Sequence, residues 1–105
     1  MGEGKVNRAL DLLQRVAPPL EQDPEYHALM AALYQRQGQS MLSAKIYEQL
    51  LALHPNTAVW WIGLGIALES DGKNNAAKEA YLHASQGAGL NTALNAFIQT
   101  RMDNL

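Results

Sequence analysis

Cysteine is absent from the 105 residues. Its absence excludes disulfides, thiolate zinc sites and cysteine nucleophiles, and leaves the compartment open. Charge is also scarce: Asp, Glu, Lys and Arg make up 17% of the chain, against roughly 25% in an average globular domain. Apolar residues reach 48%, so the chain must bury much of its surface in itself or in a partner. The formal charge of -2 and the scattered placing of the basic residues leave no electrostatic footprint for nucleic acid. Long apolar runs are missing too. Ala58 to Leu68 is eleven residues without a charge, whereas a membrane-spanning helix needs about 20. That stretch reads as a buried core helix, and no membrane insertion by this chain is expected.

The start of the chain lacks two further patterns. Met1-Gly2-Glu3-Gly4 is not the charged-then-apolar opening of a secretory leader. Gly2-Glu3-Gly4-Lys5 has neither the spacing nor the preceding strand of a phosphate loop, which leaves a frayed or truncated end. Helical sequence begins so soon after it that the chain is expected to be a piece of something longer.

Signals for chemistry are equally thin. His27, His54 and His83 are 27 and 29 residues apart with no second ligand at helical spacing, so no metal is expected. His27 reads as a packed imidazole, and His54 as a residue near a helix end. Ser40, Ser43, Ser70 and Ser85 sit where small or turn residues are wanted. The acids Glu21, Asp23 and Glu25 cluster before a helix, where they favour its positive end. No nucleophile–base–acid set emerges, so the expectation is a non-enzyme without a cofactor. Gly63-Leu64-Gly65 is no dinucleotide fingerprint, since no strand precedes it and Leu68 stands where a third glycine belongs. It reads as a packing device.

What the chain does have is a period. Shifted by 34 residues against itself, it brings Gly4, Gly38 and Gly72 together, and aligns Ala31 with Gly65, Tyr34 with Leu68, Ser43 with Ala77 and Tyr47 with Tyr81. Met30 meets Leu64, and Pro55 meets Gly89. Side-chain size is preserved position by position, which is the mark of a repeated supersecondary unit.

Each unit reads as a pair of helices. Pro24 suits a first turn, and 25–37 runs unbroken to Gly38. A second helix over 40–53 stops before Pro55. Helices over 57–70 and 74–86 end at Asp71-Gly72 and at Gly87. A helix over 5–17 precedes them, and one over 91–103 follows. Sustained strand alternation is missing, so the expected fold is all-α with about six helices. The organisation is one domain: 5–18 as the second half of an earlier unit, repeats over 24–57 and 58–91, and a closing helix over 91–105 that carries Leu90, Leu94, Phe97 and Ile98 on or beside its stripe.

On the third of the two repeats' helices, Trp61, Leu64, Gly65 and Leu68 fall at i, i+3, i+4 and i+7 on one face. Gly65 removes a side chain from that face, and Tyr47 and Tyr81 are the bulky groups expected to fill such gaps. Trp60, one residue round, is expected to plug the space toward the preceding hairpin or to reach solvent, a structural role being favoured over ligand stacking.

These residues carry a resemblance. Trp61-x-x-Leu64-Gly65, then Gly72, Ala77, Tyr81 and Ala84, resembles a tetratricopeptide repeat, and the previous unit is similar through Ala31, Tyr34, Gly38, Ser43, Tyr47 and Pro55. Departures are His27 in the tryptophan place, Leu68 for a tyrosine, Leu50 for an alanine and Gly89 for a proline. The resemblance implies a right-handed superhelix of antiparallel helix pairs. The run YHALMAALYQRQGQ…AKIYEQLLALHP…AVWWIGLGIALE is also similar to the C-terminal repeat region of mannose-sensitive haemagglutinin (type IV) pilus biogenesis proteins. That likeness implies a bacterial domain beside the inner membrane or in the periplasm, with an anchoring helix upstream; without it a cytoplasmic place is expected.

A second apolar stripe bears on function. Val59, Ile62 and Ile66 follow i, i+3, i+7, and the matching set one period earlier is Glu25, Ala28, Ala32 and Gln35, with Arg36 beside it. The repeat resemblance implies that these positions line an inner wall. A wall of Ala28, Ala32, Val59, Ile62 and Ile66, edged by Gln35, Arg36 and Glu69, argues against the kind that clamps a C-terminal carboxylate. It argues for an apolar peptide or an amphipathic helix lying in a groove. The expected function is a non-catalytic protein-interaction scaffold, within pilus assembly on the second likeness. The alternatives are that the chain's own last helix fills the trough, or that a second copy does, giving a homodimer.

Overall fold

The computed structural model describes residues 2–105, with side chains from residue 4 onward; residues 2–5, expected as a frayed or truncated end, form the first turn of a helix. Six helices follow one another: α1 (Gly2–Val16), α2 (Pro24–Arg36), α3 (Ser40–Leu53), α4 (Ala58–Ser70), α5 (Asn74–Ser85) and α6 (Thr92–Asp103). Among the described residues the only extended pairing is a single bridge between Thr57 and Ala88. The protein is all-α. Its radius of gyration of 13.6 Å is close to the roughly 13 Å of a compact domain of about this length.

Local chemistry fixes the helix ends. Asp23 caps α2 by accepting a hydrogen bond from the Tyr26 amide at 3.1 Å, and Pro24 occupies the first turn, where a missing N–H costs nothing. Asn91 caps α6 in the same way, accepting from the Leu94 amide at 2.8 Å. The exits of α2 and α4 are duplicates. Gly38 and Gly72 adopt φ of 85° and 78°, a left-handed conformation that side chains disfavour. Beyond each glycine the next amide reaches back to close the turn: Gln39 to the Tyr34 carbonyl and Lys73 to the Leu68 carbonyl, both at 2.9 Å. The two sets of bonded residues are 34 positions apart, and each forms a Schellman turn. Gly4 does not share this role. It lies within α1, which begins at Gly2 rather than at residue 5, so the third glycine of the aligned series makes no bend.

Packing runs along the chain: α1 on α2, α2 on α3, α3 on α4, α4 on α5 and α5 on α6, with a further contact between α2 and α4. α4 is therefore enclosed from both sides, which explains its unbroken apolar sequence. Trp60, Leu64 and Ala67 join Tyr47, Leu50 and Leu51 of α3 in one core cluster. Ile62 joins Ala77, Tyr81 and Ala84 of α5 in a second. Gly63 and Gly65, two residues apart and so roughly 200° apart round the helix, serve these opposite sides. A Cβ on Gly63 would meet the Tyr47 ring at 2.4 Å, and one on Gly65 would meet the Tyr81 ring at 2.6 Å. Each tyrosine lies against bare helix backbone. The Gly-Leu-Gly sequence is thus a pair of seats for two aromatic rings.

Of the two tryptophans, Trp61 lies shallower than its place on the core stripe suggests. Trp60 is buried in the cluster it shares with the preceding hairpin, the first of its two expected roles. Trp61 is only half-buried; it packs at the border of both clusters, donates its indole N–H to the Pro55 carbonyl at 2.7 Å, and stacks on His83 with centroids 4.4 Å apart. The reason is the enclosure of α4. Position 60 faces α3, whereas position 61 turns toward α5, where it meets His83.

The loops on either side of the second hairpin are tied to each other. The Ala88 amide donates to the Asn56 carbonyl at 2.6 Å, and the Ala58 amide to the Ala88 carbonyl at 3.1 Å. Gly87 permits this approach, since a Cβ there would lie 2.9 Å from the Asn56 oxygen and 3.0 Å from the Ala58 Cα. Gly87→Ala is therefore expected to destabilise by about 1–3 kcal/mol through overpacking, exceeding the gain of less than about 1 kcal/mol from a stiffer unfolded chain. Gly4→Ala, in a helix with open space around it, should instead stabilise by up to about 1 kcal/mol. Thermal melts of the two variants should shift in opposite directions.

Candidate functional site

The ends of α2 and α4 meet through side chains. The Gln35 amide donates to the Ser70 hydroxyl at 2.8 Å. Ser70 in turn borders a cleft of about 250 Å³ lined by Ile66, Glu69, Phe97 and Arg101. One continuous surface therefore runs from α2 across α4 to α6.

Of the residues expected on this wall, Ala32, Arg36 and Val59 are exposed, the last at 52%. Gln35, Ile66 and Glu69 are half-buried, and Ala28 is half-buried against the first core cluster. Ile62 is a correction. It is 6% exposed and packed with Ile98 of α6, so it belongs to the core and not to an open wall. Its neighbour round the helix, Ile66, is partly covered by the same packing.

The remaining repeat positions lie inside. Ala31, Leu64, Gly65, Ala77 and Tyr81 are buried, as are Tyr34 and Tyr47, while Leu68 is half-buried and touches both central clusters. Ser43 is fully buried, and its hydroxyl has no hydrogen-bond partner among the described residues.

Glu69 is the polar centre of the surface. One of its oxygens accepts from the Tyr81 hydroxyl at 3.0 Å and from Arg101 Nε at 3.1 Å; the other accepts from Arg101 Nη2. A two-pronged guanidinium–carboxylate pair of this kind fixes orientation as well as distance. It joins α4, α5 and α6 at one point. Burial pushes the Tyr81 phenol up to about 12, and the Tyr47 phenol is raised by the same cause.

Sequence reasoning placed Phe97 on the closing stripe and did not place Ser70 or Arg101 on the surface. Phe97 is 37% exposed, meets Tyr81 edge-on, and borders the cleft. The adjacency of Phe97 and Ile98 was the available signal, because neighbours on a helix lie about 100° apart and the two cannot both sit at the centre of one narrow stripe. The pairing of Arg101 with Glu69, 32 residues apart, left no signal in the spacing.

The histidines are engaged separately. His27 Nε2 donates to the Pro18 carbonyl at 2.7 Å, His54 meets Trp60 edge-on, and His83 stacks on Trp61. Among the described residues no three His, Cys, Asp or Glu side chains converge on a possible metal position. No described helix is long and apolar enough to cross a membrane. No family model matches the chain, and no curated protein matches it.

Proposed function

We propose that the chain is a short tetratricopeptide-like scaffold that holds an apolar peptide or amphipathic helix against the α2–α4–α6 surface, without catalysis. The observation that carries this reading is the continuity of that surface: Gln35 bonded to Ser70, and Ser70, Ile66 and Phe97 bordering one cleft. Support for the repeat architecture comes from the duplicated turns at Gly38 and Gly72 and from the tyrosines seated on α4. The exposed Phe97 beside the half-buried Ile66, and the exposed Val59 two turns earlier on α4, offer apolar contact to a helical partner, and Gln35 and Arg36 offer polar ends. A role in type IV pilus assembly, next to the inner membrane, rests on the sequence likeness alone.

A selection of helical peptides against the folded chain tests the reading. Val59→Glu and Ala32→Glu replace exposed residues, so stability should stay within about 0.5 kcal/mol. Binding of the selected peptides should fall at least about tenfold, roughly 1.4 kcal/mol. Undiminished binding by both variants would remove the groove. Light scattering over a concentration series separates the alternative, because a homodimer through this surface would dissociate on dilution and in the same variants.

A further inference from the structure

The apolar face that α4 and α5 share is already occupied by a helix of the same chain. Leu94, Ile98 and Met102, at successive steps of four along α6, pack against the cluster built on Ile62 and Tyr81. Two observations set this contact apart from the others. Ile98 alone is buried in α6, whereas α2, α3, α4 and α5 each bury three or more residues. Few buried apolar groups place a segment at the low end of local stability. The second observation is the polar clasp. Glu69, whose side chain is 19% exposed, depends on Arg101 of α6 for its charged partner. An occupant lacking a basic group at that place would leave a half-buried carboxylate unmatched.

We propose that α6 is a displaceable lid on the α4–α5 face, and that the Glu69–Arg101 clasp keeps out an amphipathic partner helix built on α6's own pattern. That pattern is apolar residues at steps of four with a basic residue three positions after the one that is buried. The proposal rests on the scaffold reading and adds a second, conditional face to it: with the lid seated, Ile62 is closed and α6 lends Phe97 to the outer surface, and with the lid released the α4–α5 face opens in place of that surface. Apparent affinity for the partner is then the intrinsic affinity scaled by the open fraction.

The test uses the full chain and a labelled peptide of residues 90–105 as the probe. Arg101→Glu sets two carboxyl groups against each other in the lid while leaving Glu69 for the arginine of the peptide. It should bind the peptide about tenfold more tightly than the unaltered chain, as expected if the open fraction rises by that factor. A peptide carrying the same Arg-to-Glu change should lose the gain, and Glu69→Arg combined with Arg101→Glu should close the lid again. Equal binding by the unaltered chain and Arg101→Glu, or binding by neither, would overturn the proposal. Dimerisation of Arg101→Glu in place of peptide uptake would also overturn it, assigning the face to a second copy. Should that variant lose its helicity, native-state hydrogen exchange on the unaltered chain decides. The amides of α6 should exchange faster than those of α4 and α5; exchange of all three only through global unfolding would end the idea. Neither readout involves Val59 or Ala32, so failure here is distinguishable from failure of the open groove.

Discussion

Tyr81→Ala is expected to lower stability by about 3–5 kcal/mol, the range for truncating a large buried aromatic. That is a large share of the 5–15 kcal/mol typical of a domain. The ring is fully buried, lies on the bare backbone at Gly65, and meets Phe97, while its hydroxyl reaches Glu69. Alanine would open a void among α4, α5 and α6 and remove one arm of the clasp. Tyr81→Phe keeps the ring and gives up one hydrogen bond to a charged acceptor, so a loss of about 1.5–3 kcal/mol is expected. Chemical denaturation at unchanged m-value measures both.

The phenol adds a dependence on pH. Burial pushes it up to about 12, from the ordinary tyrosine value of 10.0. Between those limits the folded chain holds a proton that the unfolded chain has released, so stability falls as pH rises through this window and is flat for this group below it. Tyr47, also raised by burial, acts in the same direction. In Tyr81→Phe the alkaline loss should shrink to the part owed to Tyr47. An unchanged alkaline profile would show that Tyr81 titrates in water.

The second large effect separates the adjacent tryptophans. Trp60→Ala should cost about 3–5 kcal/mol, because the indole is 6% exposed in the cluster between α3 and α4. Trp61→Ala should cost clearly less. Its ring is only partly buried at the border of the two clusters, and beyond that smaller packing loss what disappears is the stack on His83 and one hydrogen bond to Pro55, each worth about 0.5–1.5 kcal/mol. Equal losses, or a larger one at Trp61, would contradict the burial seen here. Tryptophan emission supplies a second measure, since Trp60 should emit at shorter wavelength and respond less to added quencher.

The pattern of helices was legible because its signals are local. Pro24, Gly38, Pro55, Gly72 and Gly87 mark starts and stops that backbone chemistry enforces without help from the rest of the fold, and the helix limits fall within a residue or two of them, the start of α1 excepted. The tyrosine seats were legible in part. A glycine inside an apolar helix announces a close neighbour, but Gly63 and Gly65 serve neighbours on opposite sides, and only the enclosure of α4 shows which ring goes where. The same enclosure left Trp61 shallower than its place on the stripe suggests. A helix that is apolar all round gives no period from which to choose its deeper face, so the repeat-like spacing favoured Trp61 over Trp60. Ile62 was misplaced for a related reason. Its stripe with Val59 and Ile66 is apolar whether it awaits a partner or is already covered, and what covers it comes from α6, more than 30 residues onward. The Glu69–Arg101 pair, between helices joined by no short loop, was invisible for the same reason.

The succession of neighbour-on-neighbour helices also has a kinetic consequence. Nearly every helix finds its partner across one short connection, so closing each contact sacrifices little chain freedom. Folding should be fast, within the microsecond-to-millisecond span of helical domains with low contact order. It should also be able to begin at either hairpin. Lesions in α1, which packs mainly on α2, should speed its detachment while leaving the refolding rate of the α4–α5 hairpin almost as it was.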